Sequence, residues 1–163
     1  MKKLLLILVF LNFTSLTFAD SSEPFLKGVK DIVKLEFSYG RSYEGQVEEC
    51  LISGKKAMCF KGLGIYTFQT GYRYKGEFND NKPNGQGVFS SPDGQRYEGQ
   101  FKDNNREGYG VMTYSDRGMY QEGSHYEGEW KNDKRDGQGI MTYLDDGRRL
   151  EGEFKDNVFI GGK

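Results

Sequence analysis

Side chains able to do chemistry are abundant in this chain, but few of them are unique. Carboxylates recur at Glu44, Glu77, Glu98, Glu127, Glu129, Glu151 and Glu153. A pair of carboxyl groups ~5–9.5 Å apart is the apparatus of glycoside hydrolysis. Here each one belongs to a repeated sequence unit, so the spacing selects no single pair. The reading is a solvated acidic face that discourages sheet-to-sheet aggregation. A weak divalent-cation site near Glu127, Glu129, Glu151 and Glu153 is the sharper alternative.

Cys50 and Cys59 flank Ser53-Gly54-Lys55-Lys56, a sequence suited to a hairpin turn, and so are expected close together. They have neither CxxC spacing nor a neighbouring histidine, which disfavours a metal or redox pair. A structural disulfide is predicted. His125 is the only histidine, which rules out a multi-histidine metal centre, and no serine or cysteine nucleophile motif accompanies it. It reads as an exposed histidine at a loop edge. The Gly-x-Gly pairs do not continue as G-x-G-x-x-G and open no helix, so they are not phosphate loops. The polar stretches Lys102 to Glu107 and Lys131 to Asp136 fall short of the ~4–8 basic residues that anionic lipid binding needs. No catalytic residue, cofactor site or metal site is predicted, and the chain is not expected to be an enzyme.

What positions all these groups is a repeat. Tyr74-Lys75-Gly76-Glu77-Phe78 leads to Gly85-Gln86-Gly87, and Tyr97-Glu98-Gly99-Gln100-Phe101 leads to Gly108-Tyr109-Gly110. Tyr126-Glu127-Gly128-Glu129-Trp130 leads to Gly137-Gln138-Gly139. The Tyr74 and Tyr97 copies follow at a 23-residue period. Tyr43 opens an earlier copy with 8 extra residues, and a second insertion of 6 lies between Gly110 and Tyr126. A last copy begins at Leu150 and is read as a half unit, because its second strand is expected to start only at Gly161-Gly162-Lys163. Regular periods of this size indicate a stacked array rather than one core around a cleft.

Each unit reads as a β-hairpin. In the first strand Tyr97, Gly99 and Phe101 share one face by the period of two. The second strand is read from Gln86 to Ser91 or from Tyr109 to Tyr114, after a polar loop such as Asn79 to Gly85. Gly94 and Gly147 suit the tight turns that lead to the next unit. Glycines inside strands need close packing to be tolerated. Rings of a neighbouring unit are therefore expected to lie over Gly76, Gly87, Gly99 and their equivalents. The predicted core is a ladder of Tyr43, Tyr74, Phe78, Tyr97, Phe101, Tyr126, Trp130 and Phe154, with Phe89, Met112 and Met141 filling between rungs.

These residues resemble the MORN repeat, in which Tyr-x-Gly-x-aromatic is followed by Gly-x-Gly at the same period. The resemblance runs from Tyr43 to Gly162, with Val47 and Leu150 as departures. It implies an all-β fold, an elongated twisted antiparallel sheet of stacked hairpins. It also implies a scaffolding, dimerisation or membrane-proximal module. The expected organisation is a signal peptide over 1–19, an N-terminal cap strand over 20–40, and a repeat domain of four full units and a half unit over 41–163.

The signal peptide is read from Met1-Lys2-Lys3, the apolar run Leu4 to Leu11 and the Thr17-Phe18-Ala19 cleavage pattern. The run is too short for an ordinary membrane span. Cleavage after Ala19 leaves 144 residues with 21 basic and 24 acidic side chains, a net charge of −3. That balance argues against nucleic-acid binding. An exported, periplasmic, cell-envelope or secreted protein is expected, its partner an unidentified protein or a second copy. Leu150, Gly152 and Phe154 are read as an open edge available for strand pairing. The alternative is a polysaccharide or membrane-lipid surface bound through the aromatic face. The insertion from Ser115 to Ser124, with Arg117, Met119 and Tyr120, is a further place where binding could reside.

Overall fold

The computed structural model describes residues 13–18, 23–115 and 123–162. Twelve strands form one antiparallel sheet in strict sequence order. They are β1 (Phe13–Phe18), β2 (Ile32–Phe37), β3 (Ser42–Ile52), β4 (Lys55–Thr67), β5 (Arg73–Asn79) and β6 (Lys82–Ser90). The rest are β7 (Arg96–Lys102), β8 (Asn105–Thr113), β9 (His125–Lys131), β10 (Lys134–Thr142), β11 (Arg149–Lys155) and β12 (Val158–Gly161). At about 4.8 Å per strand the sheet is roughly 50 Å across, wider than its strands are long. The fold is all-β, an open array of stacked hairpins, with no α-helix among the described residues.

The tips of the repeat hairpins are tighter than the sequence suggested. The expected loop from Asn79 to Gly85 is a two-residue turn, Asp80-Asn81, with φ of 48° and 65°. Asp103-Asn104, Asn132-Asp133 and Asp156-Asn157 repeat it, both residues at positive φ each time. Paired positive φ values are the signature of the hairpin turn whose twist matches the strands, and Asn and Asp tolerate them best. The returning strand therefore starts at Lys82 or Asn105, four residues earlier than expected. The same turn corrects the end of the array. Asp156-Asn157 sends the chain straight into β12, so the last unit already has its second strand.

Each repeat hairpin contains a bulge. Phe78 pairs with Pro83 and Gly76 with Gly87, leaving Asn84 to Gln86 opposite Glu77 alone. Beyond the bulge, glycine faces glycine: Gly76 opposite Gly87, Gly99 opposite Gly110, and Gly128 opposite Gly139. The segment read as an N-terminal cap supplies β2, hydrogen-bonded to β3, and a short 3-10 turn at Pro24–Leu26. That turn lays Leu26 on Ile32 and Ile65, forming a small second core on the face opposite the aromatic one.

Candidate interaction surface

The front face is built rung by rung from one tyrosine in each of the first four units. Tyr43, Tyr74, Tyr97 and Tyr126 are buried, and each hydroxyl donates to a backbone carbonyl three residues on: Gln46, Glu77, Gln100 and Glu129, at 2.6–3.0 Å. To reach that carbonyl the ring must lie across the hairpin, over the glycine of the facing strand. A Cβ at Gly87 would sit 2.5–2.7 Å from the Tyr74 ring. The ring that covers each glycine is thus the unit's own tyrosine, not that of a neighbour as the sequence suggested. The tight bulge brings the facing glycine of the same hairpin under it.

Neighbouring units interlock through the aromatic slot. Tyr74 meets Phe78 of its own unit and Phe101 of the next edge to face, both at 5.0 Å between ring centres. Tyr97 meets Phe101 at 5.1 Å and Trp130 at 5.3 Å. Tyr126 meets Trp130 at 5.3 Å and Phe154 at 5.0 Å. The Trp130 indole N–H donates to the carbonyl of Gly110 at 3.2 Å, so its polar atom is satisfied inside the ladder. Edge-to-face pairs contribute ~0.5–1.5 kcal/mol each beyond the area they bury. In the first unit Val47 leaves the slot without a ring. Phe60, directly across from it on β4, fills the space and stacks on Tyr43 at 3.8 Å. Met112 and Met141 are buried between rungs, while Phe89 and Leu150 are half-buried.

A second set of contacts joins the hairpin tips, and sequence reasoning missed it. The Asn81 side-chain oxygen accepts from the Phe60 N–H, and the Asn81 N–H donates to the Phe60 carbonyl. Asp133 docks the same way on Arg106, and Asn157 on Arg135. Both arginines then lie against aromatic rings: Arg106 is 4.3 Å from the Trp130 ring centre, and Arg135 is 5.6 Å from both Tyr126 and Phe154. The signal was present as Asn or Asp at the second turn position in each copy. It is unreadable without the turn geometry.

On the opposite face the carboxylates have individual tasks. Glu77 accepts the Gln86 N–H at 2.8 Å and Glu129 the Gln138 N–H at 2.9 Å, which satisfies backbone donors freed by the bulge. Gln46 does the same for Leu63. Glu127 accepts from the Tyr109 hydroxyl, while Glu98 and Glu151 pair with Arg96 and Arg149. Among the described residues no cluster of three or more His, Cys, Asp or Glu could hold a metal ion. His125 opens β9, half-exposed, opposite Thr113 and Thr142.

Cys50 and Cys59 form a disulfide across the long β3–β4 hairpin, their Cα atoms 5.9 Å apart. The edge read at Leu150, Gly152 and Phe154 is only partly open: β12 pairs with Glu153 to Lys155 and Gly161 lies against Gly152, whereas Leu150 pairs with Met141 of β10 and has no partner in β12. The short turn before Val158 is the reason, and β12 takes the outer place. Arg117, Met119 and Tyr120 lie outside the described residues.

Two adjoining depressions mark the front face. One, of about 440 Å³, is lined by Phe60, Tyr66, Phe68, Phe78, Pro83 and Phe89 among others. The other, of about 410 Å³, is lined by Tyr72, Phe89, Gln95, Arg106, Met112 and Asp133 among others. Phe89, Phe101 and Asn104 are common to both. The furrow is therefore aromatic at one end and becomes polar and charged at the other.

A one-sheet stack of similar hairpins joined by one aromatic ladder defines a repeat scaffold. The MORN repeat model matches residues 74–96, 97–119 and 126–148, so the chain carries three MORN repeats. Such repeats are generally non-enzymatic modules for interaction or scaffolding. The Tyr43 and Leu150 units lie outside the matched residues yet share the same ladder. No curated protein matches the chain.

Proposed function

We propose that the protein is exported and acts as a non-enzymatic interaction module, taking an extended segment of a partner protein along the furrow of its front face. The observation that carries this is the furrow itself, an aromatic-lined depression adjoining a second with polar and charged groups in its lining. Apolar, concave surfaces with a few polar groups at the margin are the usual form of a binding site. Phe68 and Tyr72 are each 38% exposed at its border, available to a ligand without unpacking the core. Export is supported by the leader pattern of residues 1–19 and by the disulfide, which persists in oxidising compartments.

Binding of a polysaccharide or lipid surface through the ladder has less support. The rings needed as stacking platforms, Tyr97, Phe101, Tyr126 and Trp130, are all buried. The test is capture of envelope proteins on the immobilised chain, beside a Phe68→Glu/Tyr72→Glu variant. Loss of a captured partner in the variant, with the fold intact by circular dichroism, is expected. Equal capture by both would show that the furrow is not the binding surface.

A further inference from the structure

The sheet begins with β1, and β1 lies inside the leader. Its residues pair with β2 at five positions, Phe13 with Phe37, Ser15 with Glu36, Leu16 with Leu35, Thr17 with Lys34 and Phe18 with Val33. Cleavage after Ala19 removes this strand entirely. The processed chain is left with β2 as an outer strand, without the ladder that β1 made to it. An open edge of this kind is a template for another strand.

We propose that processing converts this edge into a dimer interface, in which β2 pairs antiparallel with β2 of a second copy. The proposal rests on the export reading above. The sequence of β2 is self-complementary about Leu35. With Leu35 across from its own counterpart on a two-fold axis, Val33 falls opposite the second copy's Phe37, and Lys34 opposite its Glu36. Each of these pairs occurs twice by symmetry, as an isologous interface requires. The five positions used, Val33 to Phe37, are those that β1 occupies before cleavage. Val33, Leu35 and Phe37 belong to the buried front-face cluster, so a two-fold axis perpendicular to the sheet would continue the apolar face of one copy into the other. On the back face Lys34 is exposed and Glu36 half-exposed, so the pairing brings two opposite-charge pairs together. Charge pairs directly across an antiparallel ladder are favourable, and like charges there are unfavourable.

The full chain, expressed with its leader in an exporting host, provides the test. Mass spectrometry of the exported protein reports whether residues 1–19 are gone. Light scattering over a concentration series then gives the assembly state. The processed protein is expected to be a dimer, and precursor retained by blocked export a monomer. Lys34→Glu and Glu36→Lys should each weaken the dimer roughly tenfold at low salt, and the double exchange should restore it. If residues 1–19 remain attached, the export reading fails, the edge is never vacated, and the proposal falls with it. A processed protein that stays monomeric, or a dimer indifferent to all three variants, overturns the β2 pairing while leaving export standing.

Discussion

Adding one methyl group at Gly87 would bring it to 2.5–2.7 Å of the Tyr74 ring, in a strand where the backbone cannot move without breaking its ladder. Gly147 offers the contrast: φ is 70° and a Cβ there meets nothing within 4 Å, so alanine would suffer only the left-handed conformation. Gly87→Ala should therefore destabilise by about 2–3 kcal/mol through overpacking, and Gly147→Ala by about 1 kcal/mol. Urea unfolding of the two variants beside the parent checks the order, and equal losses would contradict the ring-over-glycine account. The tyrosine makes the position unforgiving because its hydroxyl is tethered to the Glu77 carbonyl at 2.9 Å. The pattern Tyr-x-Gly was visible in the sequence. That the ring covers the glycine of its own hairpin was not, because it depends on a bulge that sequence periodicity does not encode.

Among the elements, the β3–β4 hairpin departs most from its neighbours, with strands of 11 and 13 residues where the other repeat hairpins have 7 and 9 or fewer. Its extension carries Leu51 exposed at the tip and the Cys50–Cys59 bridge behind it. The bridge also touches the next unit, since the Asn81 amide donates to the Cys59 sulfur at 3.1 Å. Cys59 adjoins Phe60, which supplies the ring missing at Val47. Replacing both cysteines by serine should cost about 2–3 kcal/mol in the chain-entropy account. Thermal unfolding of the double variant, with and without reductant, checks this: reductant should lower the midpoint of the parent and leave the variant unmoved. The disulfide was legible from two cysteines either side of a turn sequence. Its link to the ladder was not, because Phe60 enters the aromatic slot from the opposite strand.

Across the whole molecule, four phenols sit in one continuous apolar stack, and their titration bears on the stability of the entire array. Burial pushes Tyr126 up to about 12 and holds Tyr43, Tyr74 and Tyr97 higher still. In the unfolded chain each phenol ionises near its ordinary value of 10.0. The folded state thus keeps protons that the unfolded state releases. Stability from these groups is fully present below pH 10 and falls as pH rises toward 12 and beyond. Following tyrosinate absorbance together with circular dichroism, the buried phenols should ionise only as the sheet unfolds. Ionisation of all tyrosines near pH 10 with the sheet intact would refute the buried ladder.

The sequence by itself determined the unit, its period, the β class and the rings of the ladder other than Phe60. Alternation and glycine placement are local properties, repeated often enough to outweigh any single exception such as Val47. Only the tertiary structure decided which strand lies outermost, which ring covers which glycine and where the tips dock. Those outcomes depend on two-residue turns and bulges that shift the register by a few residues. A shift that small decides whether Phe154 lies on an open edge or, as the structure has it, opposite Phe159 of β12.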